Sequence, residues 1–244
     1  MENWFKEWFS SEEYLDVYQH RNDDDAAKFL ELILDQCNLS FDNSVLDAAC
    51  GAGRHSILLA SKGYNVVGFD LSKTLLLKAK ETAKLKLTKT NFVRADLRNV
   101  WFNKKFDLVL NLFTSFGYFD NDEENFEFIR TAYSLLNKNG IYVLDYFNKN
   151  YLVNNLTSES ERNLNGKKII ERRKIVNNRI IKEILIADKN KENRFVESVR
   201  LYSKNEIISE FSRIGFNLIK TFGDYEGNSF DENTSTRIIL FFQK

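Results

Sequence analysis

The apolar positions of this chain change period several times, and those changes predict its elements. Residues 1–20 carry Trp4, Phe5, Trp8 and Phe9 at helical spacing. Ser10-x-x-Glu13 then reads as a capping box before Tyr14, Leu15 and Tyr18. Asn22 with Asp23, Asp24 and Asp25 offers an N-cap and first-turn acids for a helix that places Phe29, Leu30, Ile33 and Leu34 on one face. From residue 44 short β-rich runs alternate with helical stretches: strands over 44–48, 64–69, 91–94, 106–110 and 141–146. The intervening helices cover 53–62, ending at Gly63, a segment capped by Ser72, and one capped by Asn121-x-x-Glu124. Strands separated by helices in this way indicate βαβ units and a parallel sheet.

After Asn150 the grammar changes. Residues 167–176, 179–187 and 194–202 are long β-branched runs, the first two joined by Asn177-Asn178, residues that tolerate the left-handed turn of a tight hairpin. An antiparallel meander is therefore added to the parallel core. Ser203-x-x-Glu206 caps one more helix, closed by Gly215, and strands over 216–221 and 236–242 finish the chain. Four segments result: an N-terminal helical flap over 1–38, a core over 39–150, the β insertion over 151–202, and the closing helix and strands over 203–244.

Composition narrows the class. The 244 residues are 43% hydrophobic and 29% charged with a net charge of zero, as expected of a globular protein without a global field for nucleic acid or anionic membranes. Two cysteines provide no disulfide framework, and two histidines cannot build a His-rich metal site, so no metal is expected. The N-terminal residues do not read as a secretory signal, and no apolar run suits a bilayer span, so a cytoplasmic protein is expected.

The chemistry concentrates at Val45-Leu46-Asp47-Ala48-Ala49-Cys50-Gly51-Ala52-Gly53-Arg54-His55, a strand, a Gly-x-Gly turn and a helix N-terminus. Ligands of open α/β sheets lie outside the carboxyl ends of the strands, at the switch in strand order. Acids stand there on three consecutive strands. Asp70, about 20 residues past the turn, can accept from both ribose hydroxyls, and Asp96 from an exocyclic amine such as that of adenine. Gly51 and Gly53 are expected to let the backbone approach the ligand. A dinucleotide would want a third glycine where Ser56 stands, and its pyrophosphate would find a poor neighbour in Asp47. A cationic sulfonium welcomes acids, which favours S-adenosylmethionine over NAD. His55 is expected to be a packed, hydrogen-bonded histidine behind the site rather than a base.

This turn, Gly-Phe-Asp-Leu-Ser over 68–72, Arg-Ala-Asp-Leu-Arg over 94–98 and Phe-Asp-Leu-Val-Leu-Asn over 106–111 resemble the successive motifs of class I S-adenosylmethionine-dependent methyltransferases. Residues 135–140 resemble the turn before that family's fifth strand. The resemblance covers about residues 40–148. It implies a Rossmann-like seven-stranded sheet, mostly parallel with its last strand antiparallel, here with the β meander added. It implies that Asp47, Ala49, Cys50, Gly51 and Gly53 surround the methionine portion, and that Asp70 with Leu71 holds the ribose. Asp96 with Leu97 would read the adenine, and Asn111 and Leu112 would line the methyl-transfer face.

Expectations for the acceptor are coarser. His20 and Arg21 follow Tyr14 and Tyr18; they either reach the cofactor's carboxylate from a folded-over flap or form a charged interhelical turn. The loop 113–119, rich in aromatics, either walls a dry acceptor pocket or covers the core beneath the meander. Tyr118, Tyr146 and His20 are the candidate bases. Lys167, Lys168, Arg172, Arg173 and Lys174 could meet an anionic acceptor, although strand alternation puts them on opposite faces. Asn111-Leu112-Phe113-Thr114 is not the Asn/Asp-Pro-Pro-aromatic turn of enzymes that methylate base amines. An insertion after strand five with an N-terminal flap is similar to small-molecule methyltransferases. The expected partner is thus a small-molecule acceptor and the expected assembly a monomer or homodimer. An RNA methyltransferase using the basic meander, and a non-catalytic adenosylmethionine binder, are the alternatives.

Overall fold

A computed structural model describes residues 3–18, 23–188 and 191–244. The chain opens with α1 (Trp4–Trp8), α2 (Glu12–Tyr18) and α3 (Asp23–Cys37). The core follows as β1 (Ser44–Ala48), α4 (Arg54–Ser61), β2 (Asn65–Asp70), α5 (Lys73–Leu85), β3 (Asn91–Arg94), β4 (Phe106–Asn111), α6 (Asp122–Leu135) and β5 (Leu136–Phe147). Next come α7 (Lys149–Asn154), β6 (Glu159–Leu164), β7 (Lys167–Val176), β8 (Arg179–Ala187) and β9 (Glu192–Arg200). The chain closes with α8 (Lys204–Ile214), β10 (Asn217–Phe222) and β11 (Arg237–Gln243).

Seven strands form one sheet in the order β10-β11-β5-β4-β1-β2-β3, with β11 antiparallel to both its neighbours. Strand order reverses between β1 and β4, which opens a crevice beyond their carboxyl ends. The strands are apolar on both faces because helices cover both. Val45, Leu108 and Val143 pack on one side with Phe29, Leu30 and Ile33 of α3. Leu46, Val109 and Leu144 pack on the other with Phe126 and Ile129 of α6 and Phe211 of α8.

Helix boundaries follow local chemistry. The Asn121 carboxamide accepts from the Glu124 N–H at 2.8 Å, and Ser203 and Glu206 complete a reciprocal capping box. The start of α2 departs from expectation: Ser11, not Ser10, takes the cap role, its hydroxyl accepting from the Tyr14 N–H at 3.2 Å.

The second sheet is an antiparallel meander in the order β6-β7-β8-β9. Asn177 and Asn178 both take positive φ, 49° and 56°, in the expected hairpin. The sequence pattern missed β6, whose Glu-Ser-Glu-Arg-Asn-Leu carries too little apolar side chain to signal a strand. Its stability comes from pairing with β7, for example Glu161 opposite Ile170. The short α7 is missed likewise.

Trp4, Phe5, Trp8 and Val17 of the first two helices form a third apolar cluster with Phe119 of the core loop and Ile169, Ile184 and Ile186 of the meander. These helices therefore bridge the two sheets. The Ser72 hydroxyl donates to the Phe9 carbonyl at 2.5 Å, fixing the bridge beside the end of β2.

Candidate active site

The turn after β1 is held by backbone bonds that leave its inner surface bare. The Cys50 N–H donates to the Phe69 carbonyl at 2.9 Å, and the Gly53 N–H to the Cys50 carbonyl at 3.0 Å. Gly51 has φ +55°, and a Cβ there would meet only Leu75 Cδ1 at 3.9 Å, so this glycine serves the turn and keeps the surface open. Gly53 does something else. A Cβ on it would lie 2.7 Å from Phe92 Cζ and 2.9 Å from the Ala79 Cβ. It is needed for packing against α5 and β3, and it does not face the ligand side as the sequence reading expects.

The three acids converge on one cavity. Asp70 is buried, its Oδ2 accepting from the Gly51 N–H and its Oδ1 from the Ser72 N–H, both at 2.8 Å. Burial raises its carboxyl pKa against the pull of those bonds. Asp47 is buried at 2% exposure and accepts the Ser56 hydroxyl at 2.5 Å; burial pushes its pKa up to about 6. Ser56 thus has a task where a third glycine would have none: it clasps the acid of the first strand. Burial raises the pKa of Asp96, but the bonds from Arg98 outweigh it and hold the group below its usual range. Asp96 Oδ1 takes the Arg98 N–H at 2.9 Å and Nε at 3.1 Å, and Oδ2 takes Nη2 at 2.8 Å.

The cavity has a volume of about 870 Å³, within the range of small-molecule sites. Asp47, Ala49, Cys50, Gly51, Asp70, Leu71, Asp96, Leu97 and Leu112 all line it, as does Tyr118. Three predicted residues are corrected. Gly53 packs elsewhere, as above. Asn111 is 1% exposed and its carboxamide N–H donates to the Ser115 carbonyl at 3.2 Å, closing the loop beneath the cavity rather than lining it. Tyr146 is fully buried, and its hydroxyl donates to the Arg200 carbonyl. It lies outside the cavity lining, so it is no base for an acceptor there. His20 and Arg21 fall outside the described residues, as does the Asn22 cap.

The aromatic loop divides between the cavity and the core. Phe113, Tyr118 and Phe119 line the cavity, whereas Phe116 packs on Phe126 and Tyr202 in the core. Phe113 and Thr114 adopt positive φ, 53° and 62°, which is unfavourable for a bulky and a β-branched side chain. Asp145, 0% exposed, holds them there. Its Oδ2 accepts the Phe113 N–H at 2.8 Å and its Oδ1 accepts Arg237 Nε at 2.8 Å, while Arg237 Nη2 donates to the Thr114 hydroxyl at 2.9 Å.

Sequence reasoning missed several liners. Arg54, His55 and Arg237 line the cavity near the turn, and Tyr14, Tyr18, Lys182 and Glu197 line it further out, beside Arg173 of the basic run already singled out. His55 packs as expected, 5.0 Å from the Phe113 ring, but its Nε2 is buried with no hydrogen-bond partner among the described residues. Burial, helped by the Arg54 charge, pushes its pKa down to about 3, so the ring is neutral at physiological pH. Glu197 accepts Trp8 Nε1 at 2.7 Å and the Tyr18 hydroxyl at 2.6 Å through Oε1, and pairs with Lys182 at 2.6 Å through Oε2. The bridging helices are thereby tied to the inner face of the meander. No signal in the sequence pairs residues so distant along the chain.

The basic run of β7 is largely neutralised. Lys167 pairs with Asp16, Lys168 with Glu161, Arg172 with Glu159 and Lys174 with Glu183. Arg173 alone among the five lines the cavity. Among the described residues no group of histidine, cysteine and acid side chains could hold a metal ion, and no helix is long and apolar enough to cross a membrane.

Residues 45–140 match the family described as "Methyltransferase domain". A glycine/sarcosine N-methyltransferase of Aphanothece halophytica is 38% identical over 106 residues, 43% of this chain and 40% of that protein. The matched stretch spans no more than about half the length of such curated relatives. A solved S-adenosylmethionine-dependent methyltransferase from Clostridium acetobutylicum superposes with TM-score 0.81 at 18% identity, covering 95% of this chain and 96% of that one. An amino-pentose methyltransferase from Micromonospora echinaspora, solved with S-adenosylmethionine bound, superposes with TM-score 0.70 at 18% identity, over 96% and 97% of the two chains. These structures share the whole architecture, meander included.

Proposed function

We propose that this chain, whose residues 45–140 match a methyltransferase domain, is a class I S-adenosylmethionine-dependent enzyme that transfers a methyl group to a small-molecule acceptor. One observation carries the reading: three strand-end acids and a bare glycine turn share a cavity with a strained aromatic loop. S-adenosylmethionine supplies a methyl group on a sulfonium, open to in-line displacement. The residues present fit it. Asp70 accepts from the ribose hydroxyls; each of its oxygens spends one lone pair on the turn and keeps another. Asp96 and Leu97 receive the adenine. Asp47, Ala49, Cys50 and Gly51 surround the methionine portion, where a buried carboxylate and the neutral His55 ring suit a cation.

Most of the acceleration then comes from alignment and exclusion of water. Leu112, Phe113, Tyr118 and the bridging helices wall the reacting centre. Tyr118 is the predicted base candidate that faces the acceptor. Relatives named for glycine, sarcosine and amino sugars support a small acceptor, as does the pairing of the basic strand, which leaves little charge for RNA. The test is incubation with methyl-labelled cofactor and a fractionated lysate. Label should enter the small-molecule fraction; label confined to RNA or protein would overturn the reading.

Asp47 gives a second test. Its pKa of about 6 lies above the ordinary carboxylate value of 3.8. The protonated form therefore favours the fold, fully below pH 3.8, and this contribution is lost as pH rises toward 6. Binding a cation has the opposite sense, since the proton must leave. Cofactor affinity should fall as pH drops below 6, by up to about tenfold per pH unit. Asp47→Asn should flatten that profile in calorimetric titrations, and a variant that keeps the full slope would remove Asp47 from the cofactor.

A further inference from the structure

Resting on the methyltransferase reading, we propose that the acceptor carries a carboxylate and that Arg173 on the inner face of the meander receives it. Strand register puts Arg173 opposite Lys182, and Lys182 opposite Glu197. Glu171 is two residues from Arg173 on the same face, and Arg162 reaches it from β6. Ile180 and Val199 lie beside this charged strip on the cavity wall. Buried charge is costly, and pairing repays it only where the partners balance. Here they do not. Among the described residues three cations, Arg173, Lys182 and the more exposed Arg162, face two anions, Glu171 and Glu197, leaving one positive charge over.

The surplus can be located. Lys182 is spent on Glu197 and the Tyr18 hydroxyl, and Arg162 on Glu171 and the Val17 carbonyl. Arg173 Nη1 donates to the Ser160 hydroxyl at 3.0 Å and Nη2 to Glu171 at 2.5 Å. The other three of the five guanidinium N–H groups have no side-chain or backbone partner among the described residues. The side chain is 21% exposed, and its opening is onto the cavity. A half-engaged guanidinium in a walled site is suited to a planar carboxylate, and one surplus charge matches a monoanion better than a phosphate dianion. The part of the cavity around the turn is lined by Asp47, Asp70 and Asp96 with Arg54 and Arg237, the last of these already paired with buried Asp145. The site is thus polarised, its acidic end for the cationic donor and its basic end for an anionic acceptor.

The test uses the full chain with methyl-labelled cofactor and a small-molecule extract. The labelled product should couple to an added amine in the presence of a carbodiimide, which reacts at carboxyl groups. Millimolar acetate should inhibit transfer competitively with the extract, and acetamide should not. Arg173→Gln should raise the extract concentration giving half-maximal rate by tenfold or more while calorimetric affinity for S-adenosylmethionine stays unchanged. That unchanged affinity certifies the fold, and Arg173→Lys, which keeps the charge but not the fork, should recover part of the loss. A labelled product inert to carbodiimide overturns the carboxylate while leaving methyl transfer standing. An Arg173→Gln enzyme with unaltered extract dependence overturns the role of Arg173. Absence of label in any small molecule, with the cofactor bound, overturns the underlying reading and the acceptor class with it.

Discussion

Asp70→Ala should weaken S-adenosylmethionine binding by at least about a hundredfold, with far-UV circular dichroism unchanged. A hydrogen bond to a charged group contributes about 1.5–3 kcal/mol, so two to a ribose amount to about 3–6 kcal/mol. The side chain has a second duty, since its oxygens also accept the Gly51 and Ser72 N–H groups that shape the turn. Asp70→Asn separates the two. A carboxamide oxygen can keep one backbone partner, but its NH₂ faces the other N–H and cannot accept from a hydroxyl. It should lose most of the affinity with a smaller change in melting temperature than the alanine variant. Calorimetry showing wild-type affinity in either variant would refute the ribose assignment.

Trp8→Ala should release the bridging helices. The ring is 0% exposed, 4.5 Å from Phe195 and 5.4 Å from Tyr14, and its Nε1 donates to Glu197. Truncating such a core aromatic costs about 3–5 kcal/mol, and here it also strips a donor from a buried carboxylate. The loss falls on two short helices that belong to neither sheet, so local opening is expected before global unfolding. Trypsin should cut at Lys6 far faster than in the wild type, and cofactor affinity should drop because Trp4, Phe5 and Phe9 wall the cavity. A variant that resists trypsin at Lys6 as the wild type does, yet melts much earlier as a whole, would make Trp8 part of the global core and not a latch.

How legible the molecule was depends on the range of the interactions. The strand-end acids and the turn are local in the chain: Asp47, Gly51 and Asp70 lie within two successive βα units, and a short continuous apolar run leading to an acid announces itself. Gly53 has the same local signature as Gly51, yet its reason lies in Phe92 and Ala79, which only the packed sheet brings within 3 Å. Tyr146 and Tyr118 are both tyrosines beside central strands. Tyr146, on β5, was closed into the core, whereas Tyr118, in the loop after β4, was left lining the cavity. Asn111 ends β4 as a ligand-facing residue should, but the loop behind it turned back and took its amide. The strand β6 had no apolar pattern to read because an edge strand needs none; its partner supplies the bonds.

The sequence by itself determined the sheet, the turn and acids proposed to hold the donor, and the alternation that sets Lys168, Arg172 and Lys174 on the face opposite Arg173. These follow from residue periodicity and from turns whose geometry a few neighbouring side chains dictate. Only the tertiary structure decided the end proposed for the acceptor. Its wall is assembled from α1 and α2, the strained loop after β4 and the meander, segments well separated along the chain, and its decisive feature is an imbalance of charge. A pairing such as Trp8 with Glu197, 189 positions apart, exists only after burial has set which polar groups must find each other.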